Sequence, residues 1–404
     1  MFSIRYSAPK QAVQDFLDGI VFQLYAMARG EAGGHVNASV VADAASIREI
    51  LSQPARFPKA VNMGLIGALG DSRFTANGPA WNVRRDLTQT AYLQAGSPSN
   101  AAAISAVYRA RFATCDATPE GVHGALMLAS SEIFFRSLGC EADFERLLGF
   151  FERARQYLKY LQYYSWNVPG GSDLSALREQ GSDLVGQFDQ ETSSSASISR
   201  LLTDFHGRAG ELEDFNPLHE LLMNFLAGIE TTAATLSFAI DRLGIDPRVE
   251  ARLRAEIADG VQDTYFDCFL QETMRYFPAI PFVVRETAEA TTLNDVAMAK
   301  GEKIILSIVG LHHNPSYWNE PEIFDCSRAE FMNTSYNRRA FLPFLAGPRM
   351  CGGARLANLE LIEGLKAFVM AFAVSGSSDQ IGFDYGLALR PKSWSATSFS
   401  RRQV

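Results

Sequence analysis

Cysteine is scarce in this chain of 404 residues: there are five, Cys115, Cys140, Cys268, Cys326 and Cys351. An odd number, widely spaced and without a CxxC pair, suggests neither a disulfide framework nor a structural zinc site. Four of them read as buried thiols, and one needs another explanation. Histidine is nearly as rare, and none of the six forms HExxH or another metal-ligand spacing. His312 and His313 are the only adjacent pair, expected on an extended segment where their side chains diverge. Basic residues are outnumbered by acidic ones, 37 to 45, and no Lys/Arg cluster is evident, which argues against a nucleic-acid partner. No Walker loop, Gly-x-Ser-x-Gly elbow or Rossmann fingerprint is present, so nucleotide and flavin cofactors are expected on other proteins. No apolar run reaches the roughly 18 residues of a membrane span, and Met1 to Gln11 lack the pattern of a secretory signal. The expectation is a soluble, cytoplasmic protein without a membrane anchor.

What remains is a chain with 47% hydrophobic side chains and no Pro- or Ser-rich linker, read as one large domain over residues 1–404. Apolar residues recur at helical spacing through 12–28, 100–113, 120–138, 143–165, 217–243, 248–258 and 354–373. Strand-like text is limited to 282–287, 303–309 and the C-terminal region. The predicted class is mainly α with small β-sheets. Two stretches read as mobile connections: 167–198, rich in turn formers, and 58–79, with four glycines among apolar residues, as in a loop over a pocket.

The unexplained cysteine lies in Phe344-Leu345-Ala346-Gly347-Pro348-Arg349-Met350-Cys351-Gly352-Gly353. Gly347 and Gly353 permit a positive φ or a close approach, Phe344 can shield the sulfur, and the amphipathic stretch 354–373 follows. A helix N-terminus at that point favours thiolate over thiol. The segment fits Phe-x-x-Gly-x-Arg-x-Cys-x-Gly at every fixed position, and it resembles the haem-binding signature of cytochromes P450. The resemblance implies haem b, with Cys351 as the iron's thiolate ligand and Arg349 paired with a haem propionate; thiolate ligation pushes electron density toward iron and favours O–O cleavage.

Further segments resemble the family in the family's order. Glu272 and Arg275 form a Glu-x-x-Arg pair on one helical face. Pro321-Glu322-Ile323-Phe324-Asp325-Cys326-Ser327-Arg328 resembles the stretch whose arginine completes a buried triad with that pair, with Cys326 replacing a proline. The resemblance makes Glu272, Arg275 and Arg328 scaffolding. Ala227-Gly228-Ile229-Glu230-Thr231-Thr232 resembles the oxygen-binding helix: Ala227 and Gly228 leave room on the distal face, and Glu230 with Thr231 form an acid–alcohol pair for proton delivery. Trp81 and Arg85 match a propionate-clamping Trp-x-x-x-Arg, and Arg285 matches another propionate arginine. The family regions for substrate include the 58–74 loop, Leu222, Phe225, Leu226, Ile280, Phe282 and Val283.

The resemblance, to soluble bacterial-style members, implies a P450 fold and a monooxygenase that uses O2 to hydroxylate or epoxidise an apolar small molecule. Electrons would come from ferredoxin and ferredoxin reductase, or a flavodoxin-type donor, docking near Arg338, Arg339, Arg355 and Lys366. A peroxide-using or oxidative-coupling enzyme on the same fold remains open, as does a non-catalytic haem sensor or carrier.

Overall fold

Short polar side chains followed by proline start three of the helices. Thr118, Asn216 and Asp246 each accept a backbone N–H of the first turn, and Pro119, Pro217 and Pro247 occupy the first helical position, where the missing N–H leaves no bond unmade. The computed structural model describes residues 3–6, 37–60, 69–164, 171–210, 212–260, 264–293, 295–376, 382–394 and 398–402. The expected helix at 12–28 lies outside these, as do residues 61–68 of the expected pocket loop.

Helices dominate. The segments Ala101–Thr114, Pro119–Ser137, Phe144–Tyr164, Pro217–Leu243, Pro247–Ala258 and Ala354–Ala371 follow the apolar periodicity closely. The stretch expected as a mobile connection is instead largely helical, with Gly171–Thr192 followed by Ala196–Ala209. Apart from Ser193, Ser194 and Ser195, which form the turn between the two, its serines and aspartates lie on helices whose inner faces bury Leu184, Phe188, Ile198 and Phe205, so tertiary packing overrides local turn preference. Two further helices form, Ala44–Ser52, whose Ala44, Ile47, Ile50 and Leu51 share one buried face, and Gly78–Ala95, which has no marked apolar period.

The Pro217–Leu243 helix, hereafter the distal helix, is buried along nearly its whole length. Among the described residues it is the one helix long and apolar enough to cross a membrane, and 83% of its most apolar window is covered by the protein itself, as suits a core element. It packs against Pro119–Ser137 and Ala354–Ala371, and the latter also rests on Ala101–Thr114. Beside this bundle lies a four-stranded sheet of β1 (Ser3–Tyr6), β2 (Asn37–Val41), β3 (Phe282–Glu286) and β4 (Lys303–Ser307), in the order β1-β2-β4-β3. β3 and β4 are antiparallel, with Arg285 opposite Ile304, and an isolated bridge joins Lys59 to Arg285. The expected strand at 303–309 ends at Ser307, whose side chain caps the short helix Ile308–His312. His312 therefore sits on a helix rather than an extended segment, with Nε2 accepting the Leu342 N–H at 2.9 Å.

Candidate functional site

A cavity of about 370 Å³ opens between the distal helix, the residues around β3 and the loop 343–353. The loop's shape begins with glycine. Gly347 has φ of +74°, and a Cβ there would lie 2.4 Å from the Leu51 carbonyl oxygen, so no other residue fits without moving backbone. Gly353 has neither constraint: its φ is −88° and a Cβ would meet nothing within 4 Å. Its smallness instead leaves the cavity wall open, since Gly353 lines the cavity beside Cys351. The Cys351 N–H donates to the Phe344 carbonyl at 2.9 Å, closing the loop and placing Phe344 in the same wall. The sulfur's surroundings pull in two directions. Burial pushes the thiol up, while a backbone hydrogen bond from Gly353 and the charge of Arg73 favour thiolate. The other four cysteines are also free, two buried and two half-buried, and burial pushes both Cys268 and Cys326 up to about 12, leaving them poorly reactive.

The distal helix supplies Ala227, Gly228 and Thr231 to the cavity. Thr231 Oγ1 donates to the Ala227 carbonyl at 3.0 Å, which leaves the oxygen's lone pairs to accept from whatever occupies the cavity. Glu230, its neighbour, does not line the cavity. Adjacent helical residues point about 100° apart, and Glu230 lies buried near Arg155 and Arg390, with neither carboxyl oxygen bonded among the described residues. Burial pushes this carboxyl up to about 7, with the two arginines opposing the rise.

The same register corrects the expected substrate contacts. Leu222, Phe225 and Leu226 are fully buried on the opposite face, where Phe225 packs against the rings of Phe134, Phe135, Phe151 and Phe188. Met223 and Asn224 face the cavity instead. On β3 the alternation of strand faces has a similar effect: Val283 lines the cavity, as does Ile280 ahead of the strand, whereas Phe282 packs on Tyr385, ring centroids 5.5 Å apart.

Charged groups in the wall are almost all cationic. Lys59, Arg73, Arg285 and Arg349 line the cavity, and Glu360 is the one carboxylate among its lining residues. Arg349 lies over the Trp81 ring at 4.6 Å and donates to the Ala76 carbonyl and Asn77 Oδ1 at 2.8 and 3.0 Å. Arg285 and Arg349 are each lowered to about 10, mainly by burial, and Arg285 further by Arg349. Arg85 is a correction: half-buried and paired with Asp86, it lies over the Trp81 ring but outside the cavity. Arg73 and Lys59 stand there instead. No motif marks either residue, although both fall in the 58–74 segment expected near substrate.

Away from the cavity, Glu272, Arg275 and Arg328 meet in the interior. Glu272 Oε2 accepts from Arg275 Nε at 2.6 Å and Arg328 Nε at 2.8 Å, and the three side chains are essentially without solvent exposure. Arg275 also donates to the carbonyls of His312 and Pro321, and Arg328 to that of Asn319.

The sequence model described as Cytochrome P450 matches residues 177–394, more than half of the chain. The chain belongs to the cytochrome P450 family. Among related proteins, cytochrome P450 4X1 of Rattus norvegicus is 32% identical over 225 residues, covering 52% of this chain and 44% of that protein. Probable cytochrome P450 6d4 of Drosophila melanogaster is 29% identical over 235 residues, covering 54% and 45%. The chain thus spans under half the length of these curated relatives. They are animal proteins and lend no support to a bacterial-style assignment. In fold, the chain is similar to a zebra fish cytochrome P450 solved with progesterone, with a TM-score of 0.74, 22% identity and coverage of 98% of this chain and 100% of that one. It is also similar to the cytochrome P450DA heme domain, with a TM-score of 0.72, 18% identity and coverage of 99% and 98%. At these identities the likeness establishes the P450 fold. The family's cofactor is haem b, and the cavity fits it: a thiol in the wall, small residues on the distal helix, open space at Gly353, and buried cations suited to two propionates.

Proposed function

We propose that this P450 is a haem-thiolate monooxygenase that uses dioxygen to hydroxylate or epoxidise an apolar small molecule, with electrons supplied by a separate redox protein. One observation carries the reading: a single cavity holds the Cys351 thiol, the small residues and hydroxyl of the distal helix, and a group of buried cations. When bound, haem supplies an iron centre that activates dioxygen and is made electron-rich by thiolate ligation.

The chain's own residues set the conditions for that chemistry. Cys351 provides the thiolate, supported by Gly353 and Arg73. Arg285 and Arg349, which line the cavity, would hold the propionate carboxylates by charge-assisted hydrogen bonds, and Trp81 backs the Arg349 guanidinium. Thr231 offers an acceptor oxygen that can fix a water in the cavity. Glu230, with a carboxyl near 7, is partly protonated at neutral pH on an adjoining face of the same helix and so suits a proton reservoir for the site. Lining residues such as Phe134, Ile280, Val283 and Leu387 favour an apolar guest. The proposed donor is a ferredoxin with its reductase, or a flavodoxin-type protein, in the cytoplasm.

The test is the absorption spectrum of the dithionite-reduced protein under carbon monoxide. A strongly red-shifted Soret band is expected, and Cys351→Ser should abolish it. Purified wild-type protein that carries no haem, or haem without that band, overturns the proposal.

A further inference from the structure

We infer that Glu360 is a redox-linked proton site: as the haem iron takes an electron from its donor, the Glu360 carboxylate takes up a proton from water. The inference rests on the haem-enzyme reading above and adds to it a coupling between reduction and pH.

Glu360 stands roughly two turns along the helix that begins just after Cys351. It lines the cavity yet is only 4% exposed, so it borders the space suited to haem and not bulk water. Its partners are hydroxyls. Tyr108 donates to Oε2 at 3.3 Å, and Ser130 Oγ lies 3.4 Å from the same phenol oxygen. The contact is shaped by a glycine one turn on. A Cβ at Gly364 would lie 3.0 Å from Tyr108 Cζ and 2.8 Å from Leu236 Cδ1, so the bare backbone lets the Tyr108 ring and the distal helix close around the carboxyl.

No cation pairs with Glu360 among the described residues. Charged groups of the helices packed around it are paired with one another: Arg111 with Glu132, Asp241 with Arg242 and Glu363 with Lys366. Lys59, Arg73, Arg285 and Arg349 line the same cavity but do not act on Glu360, so burial outweighs the two hydroxyls and pushes the carboxyl up to about 8. Tyr108, the other titratable group at the contact, is pushed well above its ordinary range by burial and by Glu360, and so stays a donor.

Reduction adds one negative charge to the haem, and an ionised carboxylate bordering the same buried space is repelled by it. The proton affinity of Glu360 therefore rises when the iron is reduced. By linkage the effect is reciprocal: a protonated Glu360 eases reduction and an ionised one opposes it. At pH values well below 8 the residue holds its proton in both redox states, and the potential is flat. As pH rises through about 8 the ferric protein loses that proton, reduction must take it up again, and the potential falls by at most about 59 mV per tenfold drop in proton concentration.

The test is a spectroelectrochemical titration of the haem-loaded full chain from pH 6 to 10. Wild-type protein should show a flat potential that falls through pH 8 and above, and Glu360→Gln, which keeps an acceptor for Tyr108 but cannot ionise, should lose the fall. Tyr108→Phe removes a hydrogen bond that favours the carboxylate and should move the fall to higher pH, which a purely structural Glu360 would not do. A wild-type potential independent of pH overturns the inference without any variant. A Glu360→Gln protein with the wild-type slope, or a Tyr108→Phe protein with the fall unmoved, overturns it as well, and the second comparison decides alone where the first variant does not fold. Failure of the carbon monoxide band strikes the function itself, whereas an intact band with a pH-independent potential strikes this inference alone.

Discussion

Glu360 shows how much one buried titratable group can weigh on this fold. It projects from the Ala354–Ala371 helix on the same face as Leu356 and Gly364, a charged residue at an apolar register, and Tyr108 donates to its Oε2 at 3.3 Å. Burial pushes its carboxyl up to about 8 from an ordinary 4.5, so between these values the folded chain holds a proton that the unfolded chain has released. The contribution to stability is complete below about pH 4.5 and is lost as pH rises through 8. By linkage the loss across that window is on the order of a few kcal/mol. Glu360→Gln, which keeps an acceptor for Tyr108, should flatten that part of the stability–pH curve in denaturant melts from pH 5 to 9; a curve parallel to wild type refutes the assignment. Single residues also mark the limit of sequence reading at the site. Cys351, Arg349, Arg285 and Thr231 stand at fixed spacing in recognisable segments, and all four line one cavity. Lys59 and Arg73 carry no such pattern, because their place depends on a bridge to β3 and on packing against the Gly78–Ala95 helix, neither of which local sequence encodes.

At the scale of elements, the distal helix divides its labour by register. One face, through Met223, Ala227 and Thr231, meets the cavity, and the other, through Leu222, Phe225 and Leu226, is sealed in the core. Apolar character alone cannot tell these faces apart, since both walls are apolar, and this is why Leu222, Phe225 and Leu226 read as pocket residues in the sequence. Phe225→Ala should therefore cost about 3–5 kcal/mol of stability in chemical denaturation and leave the ratio of affinities among neutral ligands unchanged; a shifted ratio would put Phe225 back in the pocket. The helices themselves were largely legible from periodicity. Among the exceptions, Gly171–Thr192 has its turn-forming residues held by the packing of Leu184 and Phe188. A second element-level device is the ion-pair cluster that ties the Thr264–Tyr276 helix to the segments around His312, Asn319 and Pro321. Removing the one carboxylate strands two buried guanidinium groups, a loss of roughly 3–5 kcal/mol. Glu272→Gln should lower the melting temperature and the haem content together, measured by circular dichroism and haem extraction.

At the scale of the whole molecule, charge is distributed unevenly. The chain carries a net charge of −8, yet Arg338 and Arg339 are exposed side by side ahead of the cysteine loop, and Arg355 is exposed just after it. Arg48 fixes part of this group, donating from Nη2 to the Arg338 carbonyl at 2.7 Å and from Nε to the Arg339 carbonyl at 3.2 Å. Its own helix, Ala44–Ser52, packs on the turn Gly347–Arg349 that precedes Cys351. Arg339 lowers the pKa of Arg48, behind partial burial as the first cause, so like charges are held side by side. A cationic patch on an otherwise acidic protein orients an acidic partner toward one face and raises its encounter rate. Reversing two of these charges with Arg338→Glu and Arg339→Glu should slow stopped-flow reduction by an acidic ferredoxin about tenfold at low ionic strength. The difference should shrink as salt shortens the Debye length toward 8 Å near physiological strength. Reduction by dithionite and the carbon monoxide band should be unaffected, since neither depends on docking. Equal ferredoxin rates for wild type and variant at low salt would move the electron-entry face elsewhere on the molecule.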